Sequence, residues 1–273
     1  YLALLIMSET ILITGASSGL GKTTSEFLSK KGYNVYGTSR NPSKYSMPTS
    51  YKLLKLDLTD IKLIDNVINF ILEKEKKIDI LINNAGVGIT GPGEETDIEE
   101  MKKNFDTNFF GQVIMMQKIL PSMRKNKKGL IINISSIAGY MGLPYRSCYS
   151  ASKGALQLFT ESIRMEVKRF GINILTLAPG DFATNIASRR YHSPVKEGPY
   201  NYLYRKSLNE INRHVDDGNN PLEVAKIVYK IINTRNPKVH YKIGAFFQKF
   251  YIFLKKILPD FIYEKILMNF YKI

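Results

Sequence analysis

The sequence predicts one α/β domain, a doubly wound and mostly parallel seven-stranded sheet with helices on both faces, followed by C-terminal amphipathic helices. Three observations predict it. Short β-rich runs alternate with helical patterns along most of the chain. A glycine-rich turn joins the first strand to the first helix. The remaining motif-bearing segments fall mostly just beyond strand ends. Alternation of strands and helices requires right-handed crossovers, hence parallel strands covered on both faces. A chain of 273 residues is long enough to bury a full core of this kind.

The strands are expected at 10–13, 35–38, 52–56, 78–82, 130–134, 172–178 and 239–243. The first helix runs from about Gly19 to Lys31. Asp60 caps a second helix, whose apolar positions Ile61, Ile64, Val67, Ile68 and Ile71 keep a helical period. A long helix is expected through 105–123, another from about 147 to 170, and one after Pro221 through 224–232. Residues 181–220 read as long, polar and irregular. The main domain spans 8–243, and 244–273 form a helical extension. Residues 1–6 are expected to lie outside the fold, as an extension ahead of it.

Composition narrows the class. Cys148 is the only cysteine, so no intrachain disulfide can form, and His192, His214 and His240 are scattered without metal-ligand spacing. A reducing, cytoplasmic setting and no metal are expected. The net charge of +15 admits nucleic acid, anionic membranes or acidic proteins as partners. The basic residues are spread out, and no nucleic-acid-binding signature accompanies them, so no nucleic-acid partner is expected.

The turn Thr14-Gly15-Ala16-Ser17-Ser18-Gly19-Leu20-Gly21 has glycines where a backbone must bend sharply and approach a pyrophosphate. The N–H groups and positive dipole end of the helix that follows then hold the anion. Its G-x-x-x-G-x-G spacing is looser than the G-x-G-x-x-G fingerprint, and alone it would fit a tight β–α connection. At the end of the second strand, where many dinucleotide folds place an acid, stand Ser39 and Arg40. A guanidinium there favours a 2′-phosphate, hence NADP(H) over NAD(H). The other reading is an Arg40 that only faces solvent.

Tyr149 and Lys153 form an i,i+4 pair near a helix start, so both reach a common ligand. A nearby ammonium favours the phenolate and brings a tyrosine, ordinarily near pKa 10, toward the working range of an acid/base group. Tyr-x-x-x-Lys alone more often marks one packed aromatic and one solvated lysine. Here Asn108 lies upstream, Ser136 ends the preceding strand, and Pro179, Gly180 and Thr184 follow the next one.

With these motifs in this order, the chain from about Glu9 to Ile243 resembles the short-chain dehydrogenase/reductase family. The resemblance implies a Rossmann-type fold and an oxidoreductase that moves a hydride between nicotinamide and a carbonyl or alcohol carbon. It makes Tyr149 the proton donor or acceptor. Lys153 would tune Tyr149 and bind the nicotinamide ribose, and Ser136 would hold the substrate oxygen. Asn108 would position Lys153 through a water. The resemblance further gives Gly15, Ser17, Ser18, Gly19, Leu20 and Gly21 to the pyrophosphate, and Asp57 and Leu58 to adenine. Asn84, Ala85 and Gly86 shape the adenine and ribose pocket, and Pro179, Gly180 and Thr184 meet the nicotinamide end. A homodimer or homotetramer is implied.

Leu143, Pro144 and Tyr145 are candidates for a substrate-pocket wall. Arg189, Arg190, Tyr191, Tyr200, Tyr202 and Tyr204 belong either to a substrate lid or to a solvated loop. In 245–258, Phe246, Phe247, Phe250, Tyr251, Phe253, Leu254, Ile257 and Leu258 fall on one helical arc, with Lys249 and Lys256 opposite. These helices are expected to pack on the domain, on a second subunit or over the active site. Peripheral membrane contact is the second reading. Either makes a lipophilic alcohol or ketone the expected substrate. The rivals are a 3-oxoacyl thioester on an acidic carrier and a regulator that senses NADP(H) without turnover.

Overall fold

The computed structural model describes residues 8–46, 48–182, 190–195, 197–216 and 218–273. Thr184, Arg189 and residues 1–6 lie outside them. Strands β1 (Thr10–Ile13), β2 (Asn34–Ser39), β3 (Lys52–Lys55), β4 (Ile80–Asn83), β5 (Ile89–Thr90), β6 (Gly129–Ile134), β7 (Ile172–Pro179), β8 (Tyr191–His192) and β9 (His240–Ile243) alternate with helices. Seven of them form one parallel sheet in the order β3-β2-β1-β4-β6-β7-β9, and β5 pairs with β8 beside it.

The pleat explains why the central strands read as mostly apolar runs. Leu12, Tyr36, Leu81, Ile131 and Ile174 stand side by side in register and face one helical layer. That layer is α2 (Ile61–Glu75), α4 (Gly111–Lys125) and α5 (Ser147–Val167), which bury Ile64, Ile71, Met115, Ile119 and Leu156. Ile11, Ile13, Ile80, Ile82, Ile132 and Leu175 point the other way, toward α1 (Gly19–Lys30) and α7 (Pro221–Ile232). Asp60 caps α2 as expected, accepting from the Leu63 amide at 3.1 Å.

Strand order reverses between β1 and β4, so a crevice opens at the carboxyl ends of the strands. Buried amides tie the middle of the sheet to the helices below that crevice. Asn83 Nδ2 donates to Asn133 Oδ1 at 2.9 Å and to the Gln112 carbonyl at 3.2 Å. Asn133 Nδ2 donates in turn to Thr160 Oγ1 at 2.9 Å.

Two expectations change. The long helix around 105–123 is not uniform: α3 (Ile98–Phe105) passes through a π turn at Asp106–Phe110 before α4 begins. Residues 181–220 are not irregular throughout, since 191–192 form β8 and α6 spans Asn201–Asp216. The stripe that anchors α6 is narrow, Tyr204, Ser207 and Ile211, and its serine dilutes the helical apolar signal. Beyond β9, α8 (Phe246–Ile257) and α9 (Asp260–Tyr271) bury Ile252, Tyr263, Leu267 and Tyr271 in a cluster with Met141, Leu143 and Tyr149.

Asn133→Ala removes the acceptor of Asn83 and the donor to Thr160 from a fully buried position. It is expected to lower the unfolding free energy by about 1–3 kcal/mol, read from urea denaturation.

Candidate active site

The turn after β1 is held from three sides. Ala16 donates its amide to the Thr38 carbonyl of β2 at 2.7 Å, and Tyr51 donates its hydroxyl to the Ala16 carbonyl at 2.7 Å. Thr14 Oγ1 accepts from the amides of both Asn84 and Ala85 at 3.0 Å, and Asn84 Nδ2 donates to the Thr14 carbonyl at 2.8 Å. Gly15 has φ +67°, and a Cβ there would lie 2.9 Å from Ala85 Cα. A Cβ on Gly21 would lie 2.3 Å from the Gly15 carbonyl oxygen. Only bare backbone fits this cradle, as close approach to a pyrophosphate requires. The expected pocket segment Asn84, Ala85, Gly86 therefore also braces the phosphate turn.

A cleft of about 480 Å³ runs from this turn across the strand ends. Of the residues expected to meet the dinucleotide, Gly15, Ser17, Ser18, Gly19, Leu20, Gly21, Ser39, Arg40, Asp57, Leu58, Asn84, Ala85, Gly86, Pro179 and Gly180 line it. Ser39 is buried at the end of β2 and Arg40 is exposed beside it. Asn41 and Lys44 line the same corner, so two cations stand there. Asp57 is turned toward its own chain, accepting from the Thr59 amide and hydroxyl at 3.0 and 2.8 Å.

At the other end, the first turns of α5 present Tyr149 and Lys153 to the cleft, 8% and 3% exposed. Lys153 Nζ donates to the Ile134 carbonyl at the end of β6, 3.0 Å away, and burial pushes its ammonium down to about 8. Ser136 lines the cleft opposite, and its hydroxyl accepts from the Ala138 amide at 3.1 Å. Asn108 lies in the π turn, with Oδ1 accepting from the Val87 amide at 2.8 Å and Nδ2 donating to the Val87 carbonyl at 2.9 Å. A Cβ built on Gly86 would be 3.2 Å from Asn108 Oδ1 and 3.3 Å from Lys153 Nζ. Both groups therefore look onto one point above Gly86. The structure thus places Ser136, Tyr149 and Lys153 in the lining at one end of the cleft, with Asn108 buried close behind Gly86 at the same end.

The wall residues are different from those expected. Leu143 packs in the apolar cluster behind Tyr149 and is not part of the cleft lining. Tyr145 adopts φ +57°, which turns its ring onto Tyr204, 5.2 Å between centroids, and away from the cleft. Ile89, Arg146, Asp181, Phe182 and Arg190 line this end instead. Of the lid candidates, Tyr204 is buried, donating to the Thr90 carbonyl at 3.1 Å, whereas Tyr202 is exposed.

Arg190, one of the lid candidates, lines the cleft, and so does Arg146, which the sequence motifs did not single out. The Arg146 guanidinium lies 5.4 Å from the Tyr149 ring centroid and stands beside Tyr271 of α9. Arg190 is buried, and burial together with the charge of Arg146 pushes its guanidinium down to about 10. Asp181 faces both and is held by Gln248 Nε2 of α8. The placement of Arg146 one turn before Tyr149 was visible in the sequence. The parts played by Gln248 and Tyr271 had no local signal, because they depend on how the C-terminal helices dock.

Residues 9–194 match the short chain dehydrogenase family model. The chain is 39% identical over 267 residues to a 3-ketodihydrosphingosine reductase of Bacteroides thetaiotaomicron, covering 97% of this chain and 98% of that one. It is 30% identical over 251 residues to retinol dehydrogenase 8 of Bos taurus, covering 84% and 79%. A short-chain dehydrogenase from Streptomyces avermitilis superposes with a TM-score of 0.78 at 29% identity, covering 93% and 97%. With its Rossmann-type sheet, nucleotide cradle and Tyr149/Lys153 pair, the chain belongs to the short-chain dehydrogenase/reductase family of NAD(P)-dependent oxidoreductases acting between alcohols and carbonyls.

Proposed function

We propose that this enzyme uses NADPH to reduce a ketone borne on a long apolar chain, with 3-ketodihydrosphingosine as the first candidate substrate. The observation that carries this reading is the position of Tyr149. It lines the cleft beside Ser136 and Lys153, yet also belongs to an apolar cluster built with Ile89, Met141, Ile252, Tyr263 and Leu267. The likeness to the Bacteroides reductase over nearly the full length of both chains supports it.

Ser39, Arg40 and Lys44 would hold the 2′-phosphate, and the glycine turn the pyrophosphate. When bound, the reduced nicotinamide supplies the hydride. Ser136 and Tyr149 hold the carbonyl oxygen, where negative charge develops as its carbon is attacked. Tyr149 then gives its proton to that oxygen. The Lys153 ammonium stabilises the resulting phenolate, and Asn108 Oδ1 faces Lys153 across a gap that one water would bridge toward solvent.

A second reading has a specific observation behind it. Arg146 and Arg190 bring two guanidiniums beside Tyr149, which favours a ketone carrying an acidic group. Steady-state rates of NADPH oxidation separate the two. The long-chain ketone should have a KM at least about tenfold below that of a short-chain analogue, since each buried methylene contributes about 0.8 kcal/mol. Equal constants for the two, with preference for a 3-oxo acid, would overturn the lipophilic reading.

Three variants test the roles. Tyr149→Phe is expected to lower kcat roughly 10²–10⁴-fold while NADPH still binds, as followed by its fluorescence. Arg40→Asp should raise the KM for NADPH by roughly 10–100-fold, the value of a charge-assisted hydrogen bond, and spare the reaction with NADH. Lys153 sets a pH dependence of stability. Its folded pKa is about 8 against an ordinary value of 10.5, so between these the unfolded chain binds a proton that the folded chain does not. Stability therefore rises with pH across that window. Comparing urea midpoints of wild type and Lys153→Met from pH 7.5 to 10.5, a range set by those two values, should show this gain only in the wild type.

A further inference from the structure

The two faces of α8 do different things. Gln248 and Ile252 turn toward the domain, where Gln248 meets Gly180 and Asp181 of the cleft lining and Ile252 is buried. On the opposite face, Phe246, Phe250, Phe253 and Ile257 follow one another at helical spacing and stay in solvent, 70%, 39%, 54% and 58% exposed. Their rings form a continuous ridge, with centroids 5.9 Å apart for Phe246 and Phe250 and 6.3 Å apart for Phe250 and Phe253. Phe247 and Phe261 add two more exposed rings nearby, 69% and 71% exposed. The arc of aromatic residues seen in the sequence is thus split, and its most aromatic part points away from the core. A contiguous exposed apolar ridge of this kind marks a contact surface.

The charge around the ridge says what it contacts. Lys249 and Lys256 follow one margin, each one residue before a ridge residue, and Lys242 and Lys265 are exposed nearby. Residues 240–273 hold six lysines against two acids, Asp260 and Glu264, in a chain of net charge +15. In a two-fold contact between copies, the same ridge and lysines would meet themselves, setting like charges together. An anionic lipid surface instead takes the rings between its acyl chains and pairs the lysines with its headgroups. No helix among the described residues is long and apolar enough to cross a membrane, so the contact is interfacial.

We propose that the outward face of α8, with Phe261 of α9, docks this protein on the interfacial layer of an anionic phospholipid bilayer. The ridge and the reaction cleft lie on opposite faces of one helix, so docking sets the substrate end of the cleft close to the membrane. Vesicle binding does not depend on the identity of the substrate, so it stands or falls separately from the lipophilic-ketone reading.

The test is co-sedimentation of the full chain with vesicles of phosphatidylcholine plus phosphatidylglycerol, compared with phosphatidylcholine alone. The wild type should bind the mixed vesicles, and F246S/F250S/F253S should bind at least about tenfold more weakly while retaining wild-type NADPH binding. K249E/K256E, which leaves the ridge intact, should lose the preference for anionic vesicles. Because the chain has no tryptophan, Phe250→Trp gives a single reporter whose emission should shift to the blue on binding. Failure of the wild type to partition, or equal partition of the serine variant, would overturn the proposal. So would a wild type that self-associates through the ridge, by light scattering, without binding vesicles.

Discussion

An ammonium group buried at the end of a β-strand is the constraint around which this active site is organised. Lys153 is 3% exposed and donates to the Ile134 carbonyl. Taking a cation out of water is costly unless polar groups are fixed around it. The chain provides that fixity on both sides of the lysine. Ser135 Oγ donates to the Lys153 carbonyl, Gln157 Nε2 donates to Ser135 Oγ, and the same amide reaches the Ser136 carbonyl. Asn108 Nδ2 reaches Ser152 Oγ from the π turn. Strand β6, helix α5 and the π turn are locked together by hydrogen bonds that surround this one charged residue.

The same economy appears at the nucleotide end. Thr14 Oγ1 takes two amides from the segment after β4, and Tyr51 braces Ala16 from the far side of β2. Parallel strands bring these segments together because every strand ends at the same edge of the sheet. The glycine turn at one end and the Tyr149/Lys153 pair at the other then share a single cleft.

Much of this was legible in the sequence, and for definable reasons. The central strands showed because they are buried on both faces, so 78–82 or 130–134 reads as a mostly apolar run. Asn108, Ser136, Tyr149 and Lys153 showed because their spacing is set by the backbone of two helices and a strand. What stayed hidden depends on docking between distant segments. Leu143 and Tyr145 looked like pocket wall by their place between Ser136 and Tyr149, but the left-handed backbone at Tyr145 swings its ring onto Tyr204. Arg190 gains its place beside Arg146 only when segments far apart in the chain pack together. In α8, a helical arc of aromatic residues reveals an amphipathic helix but not which half of the arc meets the core.

The reach of the catalytic cluster along the chain has a kinetic consequence. Tyr263 donates to Met141 Sδ across 122 residues of sequence, and Tyr271 stands beside Arg146. Neighbouring strand–helix units close short loops and can form early, whereas contacts so distant must wait for most of the chain to be in place. The docking of α8 and α9 behind Tyr149 therefore depends on the sheet, whose own contacts at both ends of the cleft span far fewer residues. A chain cut short before α8 would thus keep the contacts that hold both ends of the cleft and lose the apolar wall behind Tyr149.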